Sequence, residues 1–237
     1  MNNQLKTIAI IIPAYNEEKM ISKVIKSLIN VFQNQSFNYK IIVVDDGSSD
    51  KTAILAERAG AKVIKHIINI GSGGSTATGL SYALQKNFDL AATLDGDGQH
   101  DPKDVLNGIN ILINNSFDLL IGSRLLSKND MSSSKKIGNK GLSFITYLLF
   151  GVKVTDSQSG LRIFSKTALS DLKWKTNGYE YCSEMLWRAN QLKLNISEFP
   201  ITTIYTDYSK SKGQNNWNAF NIIKTLLKRR IMELFNE

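Results

Sequence analysis

Residues 8–12 read Ile-Ala-Ile-Ile-Ile, and similar runs return at Ile41-Ile42-Val43-Val44, Leu90 to Leu94 and Asp118 to Gly122. Short, unbroken apolar runs of this kind suit strands covered on both faces, the situation of a parallel sheet between helical layers. Helix-start chemistry follows them. Pro13 stops the first run, and Asn16-Glu17-Glu18 offers a cap and an acidic first turn to a helix reaching about Phe32. Ser48 to Asp50 cap a second helix ending near Gly60, Ala61 to His66 reads as a third strand, and Ser75 to Gln85 as a third helix. Pro102 sits near the first turn of the next helix, where its missing N–H costs nothing. This alternation predicts an open, doubly wound α/β sheet with right-handed crossovers. After residue 125 the pattern blurs into helices, one more strand near Asn195 to Phe199, and a basic tail.

A chain of 237 residues with 42% hydrophobic content can bury one large core. The single cysteine, Cys182, excludes an internal disulfide framework and suits a reducing compartment, while two histidines leave little material for a zinc site. The net charge of +8 fits nucleic acid, an anionic membrane surface, a phosphorylated substrate or simply a lysine-solvated exterior. Nucleic acid is disfavoured, because the basic residues lack an aromatic stacking array. The longest apolar run, Leu142 to Val152, is far shorter than the roughly 18 residues that span a bilayer, and the chain opens on polar residues rather than a signal peptide. These features predict a cytoplasmic protein, free or peripheral on the cytoplasmic face of a membrane.

In an open α/β sheet, ligands bind beyond the carboxyl ends of the strands. Those ends carry Pro13-Ala14-Tyr15-Asn16-Glu17, Asp45-Asp46-Gly47-Ser48, Asp95-Gly96-Asp97-Gly98-Gln99 and Gly122-Ser123-Arg124. Any one of these suits an ordinary turn. Together they point to a site. Asp95 and Asp97 are two apart, so in extended backbone both carboxylates leave the same side, and Gly96 between them admits a close approach. Two carboxylates and the Gln99 amide oxygen suit a hard cation such as Mg²⁺ or Mn²⁺. Glu17 and Asp46 suit recognition of a nucleotide base and ribose, and Arg124 suits a diphosphate gripped in bidentate fashion or, equally, a surface ion pair. Gly71, Gly73 and Gly74 form either a phosphate-facing turn or a purely structural one. The segment Tyr208 to Gln214 suits a loop closing over phosphates or a solvated linker. Residues 214–237 hold a basic amphipathic helix, for which a membrane interface and packing on the domain are both open.

Taken in order, Ile12-Pro13-Ala14-Tyr15-Asn16-Glu17-Glu18, Val43-Val44-Asp45-Asp46-Gly47-Ser48, Leu94-Asp95-Gly96-Asp97-Gly98-Gln99-His100 and Ile121-Gly122-Ser123-Arg124 resemble family 2 glycosyltransferases. Within that family they are most similar to the dolichyl-phosphate mannose synthase and polyprenyl-phosphate glycosyltransferase branch. Asp156-Ser157-Gln158-Ser159-Gly160-Leu161-Arg162, Gly178-Tyr179-Glu180, Glu198-Phe199-Pro200-Ile201 and Ser211-Lys212 extend the match. The resemblance implies a GT-A fold over residues 1–213, a doubly wound, mostly parallel sheet with flanking helices. It implies a donor nucleotide sugar bound by Pro13, Ala14, Tyr15, Glu17, Val44, Asp46 and Gly96, and a metal at Asp95, Asp97 and Gln99. Arg124 and Lys212 fall to the donor phosphates, with Asp95, Asp97 and Arg124 as the catalytic group. The reaction implied is an inverting hexosyl transfer to a lipid-linked phosphate in cell-envelope synthesis. A phosphate acceptor is already anionic and needs orientation more than a base. Lys136, Asn139 and Arg162 are the residues expected to serve it, beside the apolar Phe144 to Phe150 segment. A saccharide or cell-surface polymer acceptor would need a carboxylate base, for which Glu180 and Glu184 are candidates. A non-catalytic nucleotide-sugar-binding protein is the remaining reading.

Overall fold

The computed structural model describes residues 5–127, 133–204 and 217–234. Strands β1 (Thr7–Ala14), β2 (Asn38–Asp45), β3 (Lys62–Lys65), β4 (Leu90–Thr93), β5 (Leu119–Ser123), β6 (Arg162–Phe164) and β7 (Ile196–Pro200) form one sheet in the order β3-β2-β1-β4-β6-β5-β7. β1 pairs in parallel with β2 and β4, β2 with β3, and β5 with β7. The strands expected from the apolar runs are all present. The sequence did not announce β6, which inserts antiparallel between β4 and β5. Because β6 runs backwards, it begins at the edge where its neighbours end. The segment leading into it therefore arrives at the ligand-binding edge.

Alternation along β1 divides the core. Ile8, Ile10 and Ile12 face one layer, made by α1 (Ile21–Phe32), α2 (Thr52–Arg58) and α4 (Pro102–Asn114). Ala9 and Ile11 face the other, made by α3 (Ser72–Gln85), α5 (Ser133–Phe150), α6 (Lys166–Asp171), α7 (Tyr181–Gln191) and α8 (Trp217–Leu234). Ile8, Ile10, Ile11 and Ile12 are wholly buried, each contributing about 1.5–3 kcal/mol relative to exposure. Gly79 lets α3 lie flat on β1, since a β-carbon there would overlap the Ile11 side chain.

Local signals hold where the partner is close in sequence. Asp101 caps α4 by accepting from the Lys103 N–H at 2.9 Å, with Pro102 in the first turn. They fail where the partner is remote. Asn16, Glu17 and Glu18 do not cap α1, which starts four residues after Glu17 with no side-chain cap. Helix α8 packs on the domain through Ile222 and Leu226, and Arg230 stacks over Trp187 of α7 at 5.5 Å. No helix among the described residues is long and apolar enough to cross a membrane.

Candidate functional site

The strand ends converge as anticipated, and the loops after β1 and β2 are laced together. The Asn16 N–H donates to the Ser48 hydroxyl (2.9 Å), the Glu17 N–H to the Thr52 hydroxyl (2.7 Å) and the Glu18 N–H to Asp50 (3.1 Å). In return Asn16 accepts from the Ser49 N–H at 2.9 Å. Asn16 sits at φ +54°, a left-handed conformation that asparagine tolerates better than most residues. The result is a preset wall with Tyr15 exposed at its rim and Glu17 buried in its floor, against Gly96. Ala14 and Val44 are buried, Ala14 giving its carbonyl to the Asp46 N–H, so what either can offer the cleft is chiefly backbone.

Asp46 is used by its own chain. It accepts from His66 Nδ1 (2.8 Å) and from the Ile70 (3.0 Å) and Gly71 (2.8 Å) backbone N–H groups. Burial works to raise this carboxyl, but the hydrogen bonds from His66, Ile70 and Gly71 outweigh it and hold it below the usual aspartate value. The glycine-rich turn takes its structural reading. Gly73 and Gly74 spend their N–H groups on the Asn177 carbonyl, at 2.7 and 3.3 Å, instead of presenting them to a phosphate.

At the end of β4 the Asp95 carboxylate is half exposed (51% of its side chain) and meets His100 Nε2 at 3.2 Å. Gly160 closes its flank: a β-carbon there would lie 2.5 Å from both carboxylate oxygens. Desolvation pulls the Asp95 carboxyl upward, yet the His100 hydrogen bond and the positive fields of His100, Arg124 and Arg162 hold it below its usual value. Asp97 goes the other way. Desolvation and the negative charge of Asp95 raise it, although the Gln99 backbone N–H donates to it at 3.0 Å. Tyr179 feels the same acidity, its hydroxyl raised by burial and by Asp95, with smaller effects from Asp97 and Glu17.

Oxygen donors with repelling charges, open to solvent on one side, fit a hard divalent cation, whose charge would relieve the strain that lifts Asp97. Gln99 donates through its amide nitrogen to Asp97 and so orients that carboxylate. Among the described residues, no cluster of three or more His, Cys, Asp or Glu side chains is arranged to hold a metal. A cation here would therefore complete its shell from water and substrate oxygens, as Mg²⁺ commonly does.

Arg124 lies at the end of β5 with Nε 2.6 Å and Nη2 2.8 Å from the fully buried Asp156. Glu198 of β7 secures that partner in turn, accepting from the Thr155 N–H (2.8 Å), the Thr155 hydroxyl (2.9 Å) and the Asp156 N–H (3.1 Å). Two acceptor candidates are used inside the protein. Arg162 is wholly buried, so it does not face an acceptor from solution. Glu184 is also wholly buried and accepts from the Lys175 (3.1 Å) and Thr176 (2.9 Å) N–H groups. Backbone groups of the loops just before them drew both charges inward, the Ser157 and Ser159 carbonyls for Arg162 and the Lys175 and Thr176 N–H groups for Glu184. Glu180 is half-buried just before α7, and Lys136 and Asn139 are half-buried on α5. Lys212 and the segment Tyr208 to Gln214 lie outside the described residues. Sequence reasoning gave no role to His100, Asp156, Glu198 or Tyr179. Only their place inside the matched motifs marked them.

The profile described as Glycosyl transferase family 2 matches residues 9–173. The chain belongs to that family. The UDP-N-acetylglucosamine–dolichyl-phosphate N-acetylglucosaminyltransferase of Methanococcus voltae is 46% identical over 244 residues, covering 94% of this chain and 95% of that protein. The undecaprenyl-phosphate mannosyltransferase of Micrococcus luteus is 26% identical, covering 85% of each. Among solved structures, glucosyl-3-phosphoglycerate synthase from Mycobacterium tuberculosis in complex with Mn²⁺, UDP-glucose and phosphoglyceric acid superposes with a TM-score of 0.73 at 21% identity, covering 95% of this chain and 80% of that one. This family 2 chain is a glycosyltransferase with the GT-A fold.

Proposed function

We propose that this glycosyltransferase moves a hexose from a nucleotide diphosphate sugar to a polyprenyl phosphate, with inversion and with the help of Mg²⁺ or Mn²⁺. The observation that carries the reading is the meeting of Asp95, Asp97 and Arg124 at one sheet edge in a chain 46% identical, nearly end to end, to a dolichyl-phosphate N-acetylglucosaminyltransferase. An oxygen of the acceptor phosphate attacks the anomeric carbon as the bond to the donor diphosphate breaks, so a nucleoside diphosphate leaves and the configuration inverts. Asp95 and Asp97 are the residues that would hold a divalent cation, which when bound would supply positive charge for the leaving diphosphate. Arg124, held in plane by Asp156, adds a fixed positive charge at the same edge. The wall of Tyr15 and Glu17 receives the nucleotide, with Asp46 bracing the turn behind it.

A phosphate acceptor requires no carboxylate base, which agrees with Glu184 being committed to backbone N–H groups. Two helices offer surfaces suited to a lipid-borne acceptor. On α5, Ile137, Phe144 and Leu148 are exposed, and on α8 so are Leu227, Ile231 and Met232, among the basic residues Lys140, Lys224 and Lys228. We read this as a peripheral membrane face.

The test is a panel of UDP- and GDP-sugars with Mn²⁺ and either undecaprenyl or dolichyl phosphate. Labelled lipid from the wild-type protein, lost on chelation and reduced at least about 100-fold by Asp97→Asn, is the expected outcome. Label found only on a saccharide would defeat the lipid acceptor, and full metal-independent turnover by Asp97→Asn would defeat the cation site.

A further inference from the structure

Arg162 stands where the sheet core should be apolar. It is 0% exposed, and its β-strand neighbours across the sheet are Thr93 of β4 and Ile121 of β5. Among the described residues no ion pair includes it. Its guanidinium instead donates from Nε to the Ser159 carbonyl (3.1 Å), from Nη2 to the Ser157 carbonyl (2.8 Å) and from Nη1 to Met185 Sδ (2.8 Å), over the Tyr181 ring at 5.7 Å. Burying a cation without a hydrogen-bonded carboxylate costs far more than burying a methionine or leucine of similar volume. Packing alone does not account for it.

What the guanidinium does hold is the backbone of residues 157–160. Within that stretch Gly160 presses against the Asp95 carboxylate, and its carbonyl accepts from the Thr93 hydroxyl at 2.8 Å. Asp156, at the head of the same stretch, carries Arg124. One short segment thus touches both sides of the cleft, and Arg162 ties its middle to a sheet strand. His100 borders Asp95 as well, so the carboxylate sits between the Gly160 backbone and an imidazole.

We infer that Arg162 is a positioning residue: through the Ser157 and Ser159 carbonyls it holds Gly160 as a rigid stop that sets the Asp95 carboxylate relative to Arg124. This rests on the reading of Asp95 as the carboxylate for the cation and diphosphate. A planar fork reaches two carbonyls at once, whereas a lysine ammonium is a single point. Gly160 is needed for contact rather than for backbone freedom, because its φ lies outside the left-handed region.

The experiment compares Arg162→Met, Arg162→Lys and Gly160→Ala with the wild type, all as the full chain. Three quantities are read: the urea midpoint, kcat and KM for the donor sugar, and Mn²⁺ affinity by calorimetry in the presence of UDP. Arg162→Met and Gly160→Ala should each lower Mn²⁺ affinity about tenfold and kcat by 30-fold or more, with donor KM changed less than threefold. Arg162→Lys should recover part of both losses. Kinetics and Mn²⁺ affinity within twofold of wild type in Arg162→Met, whatever its stability, would overturn the inference. Should Arg162→Met not fold, the same outcome in Gly160→Ala would overturn it. A wild type that neither binds Mn²⁺ nor suffers from Asp95→Asn would instead refute the reading of the cleft on which the inference stands.

Discussion

Replacing Asp156 by asparagine isolates the clamp on Arg124. The Asp156 Oδ2 receives Arg124 Nε at 2.6 Å and the Arg124 N–H at 3.1 Å, while Oδ1 receives Nη2 at 2.8 Å. Asparagine has nearly the same shape, so its amide oxygen can keep the Oδ2 contacts. Its NH₂ then meets the Nη2 donor, donor against donor. One hydrogen bond to a charged group is lost, worth about 1.5–3 kcal/mol. The Arg124 side chain is 20% exposed and finds some water in compensation, which places the loss near 2 kcal/mol. In a domain of this size that lowers the melting temperature by about 4–8 °C. If the guanidinium acts on the diphosphate, a similar loss from the transition state lowers kcat/KM for the donor about 30-fold. Differential scanning fluorimetry and initial rates over a donor series measure the two effects. A fall in melting temperature with kcat/KM within twofold of wild type would refute a role for Arg124 in transfer. No change in either would refute the clamp itself.

Three other outcomes are expected. Because the folded-state carboxyl of Asp46 lies below its unfolded value, its stabilisation is complete above about pH 4 and is lost as pH falls through the lowered folded value; Asp46→Asn should therefore be less stable at neutral pH and show a shallower acid limb in urea midpoints taken from pH 7 to pH 2. Gly79→Ala should lose about 1–3 kcal/mol by urea denaturation through overlap with Ile11, where helix propensity alone would give a gain of about 1 kcal/mol, so the sign of the change decides. Phe144→Glu combined with Leu148→Glu should abolish co-sedimentation with anionic vesicles and leave the melting temperature within a few degrees, since both side chains are exposed; unchanged sedimentation would remove the membrane face.

The parts of the fold legible in the sequence are those decided by neighbours in the chain. The runs at Ile8 and Ile41 are apolar enough to read as doubly covered strands, and Asp101-Pro102 is a local stop-and-start signal that the structure uses. β6 is three residues long and begins with an arginine, so no periodicity could reveal it, and its direction depends on two strands far away in sequence. Asn16, Glu17 and Glu18 read as a helix cap because their partners, 32 to 35 residues on, are invisible to local reasoning. Charge is illegible for a different reason, since the partners are near in sequence but reachable only in the folded loop conformation. Arg162 and Glu184 look solvent-seeking in sequence, and only the folded chain supplies the carbonyls and N–H groups that permit their burial. The position of Asp95 and Asp97 just past β4 was legible because the apolar strand before them and the glycine between them are local.

The reversed direction of β6 also makes the molecule divisible. From the end of β5 to the start of β6 the chain leaves one edge of the sheet, builds α5, and returns to that edge. Such an excursion can lengthen, shorten or change its exposed side chains without shifting the register of any strand, because both its ends are anchored at the same level. Strands β1 to β4 lie outside it, while Arg124 and Asp156 stand at its two ends. Change confined between those two residues can therefore proceed without disturbing either the clamp or the Asp95 carboxylate.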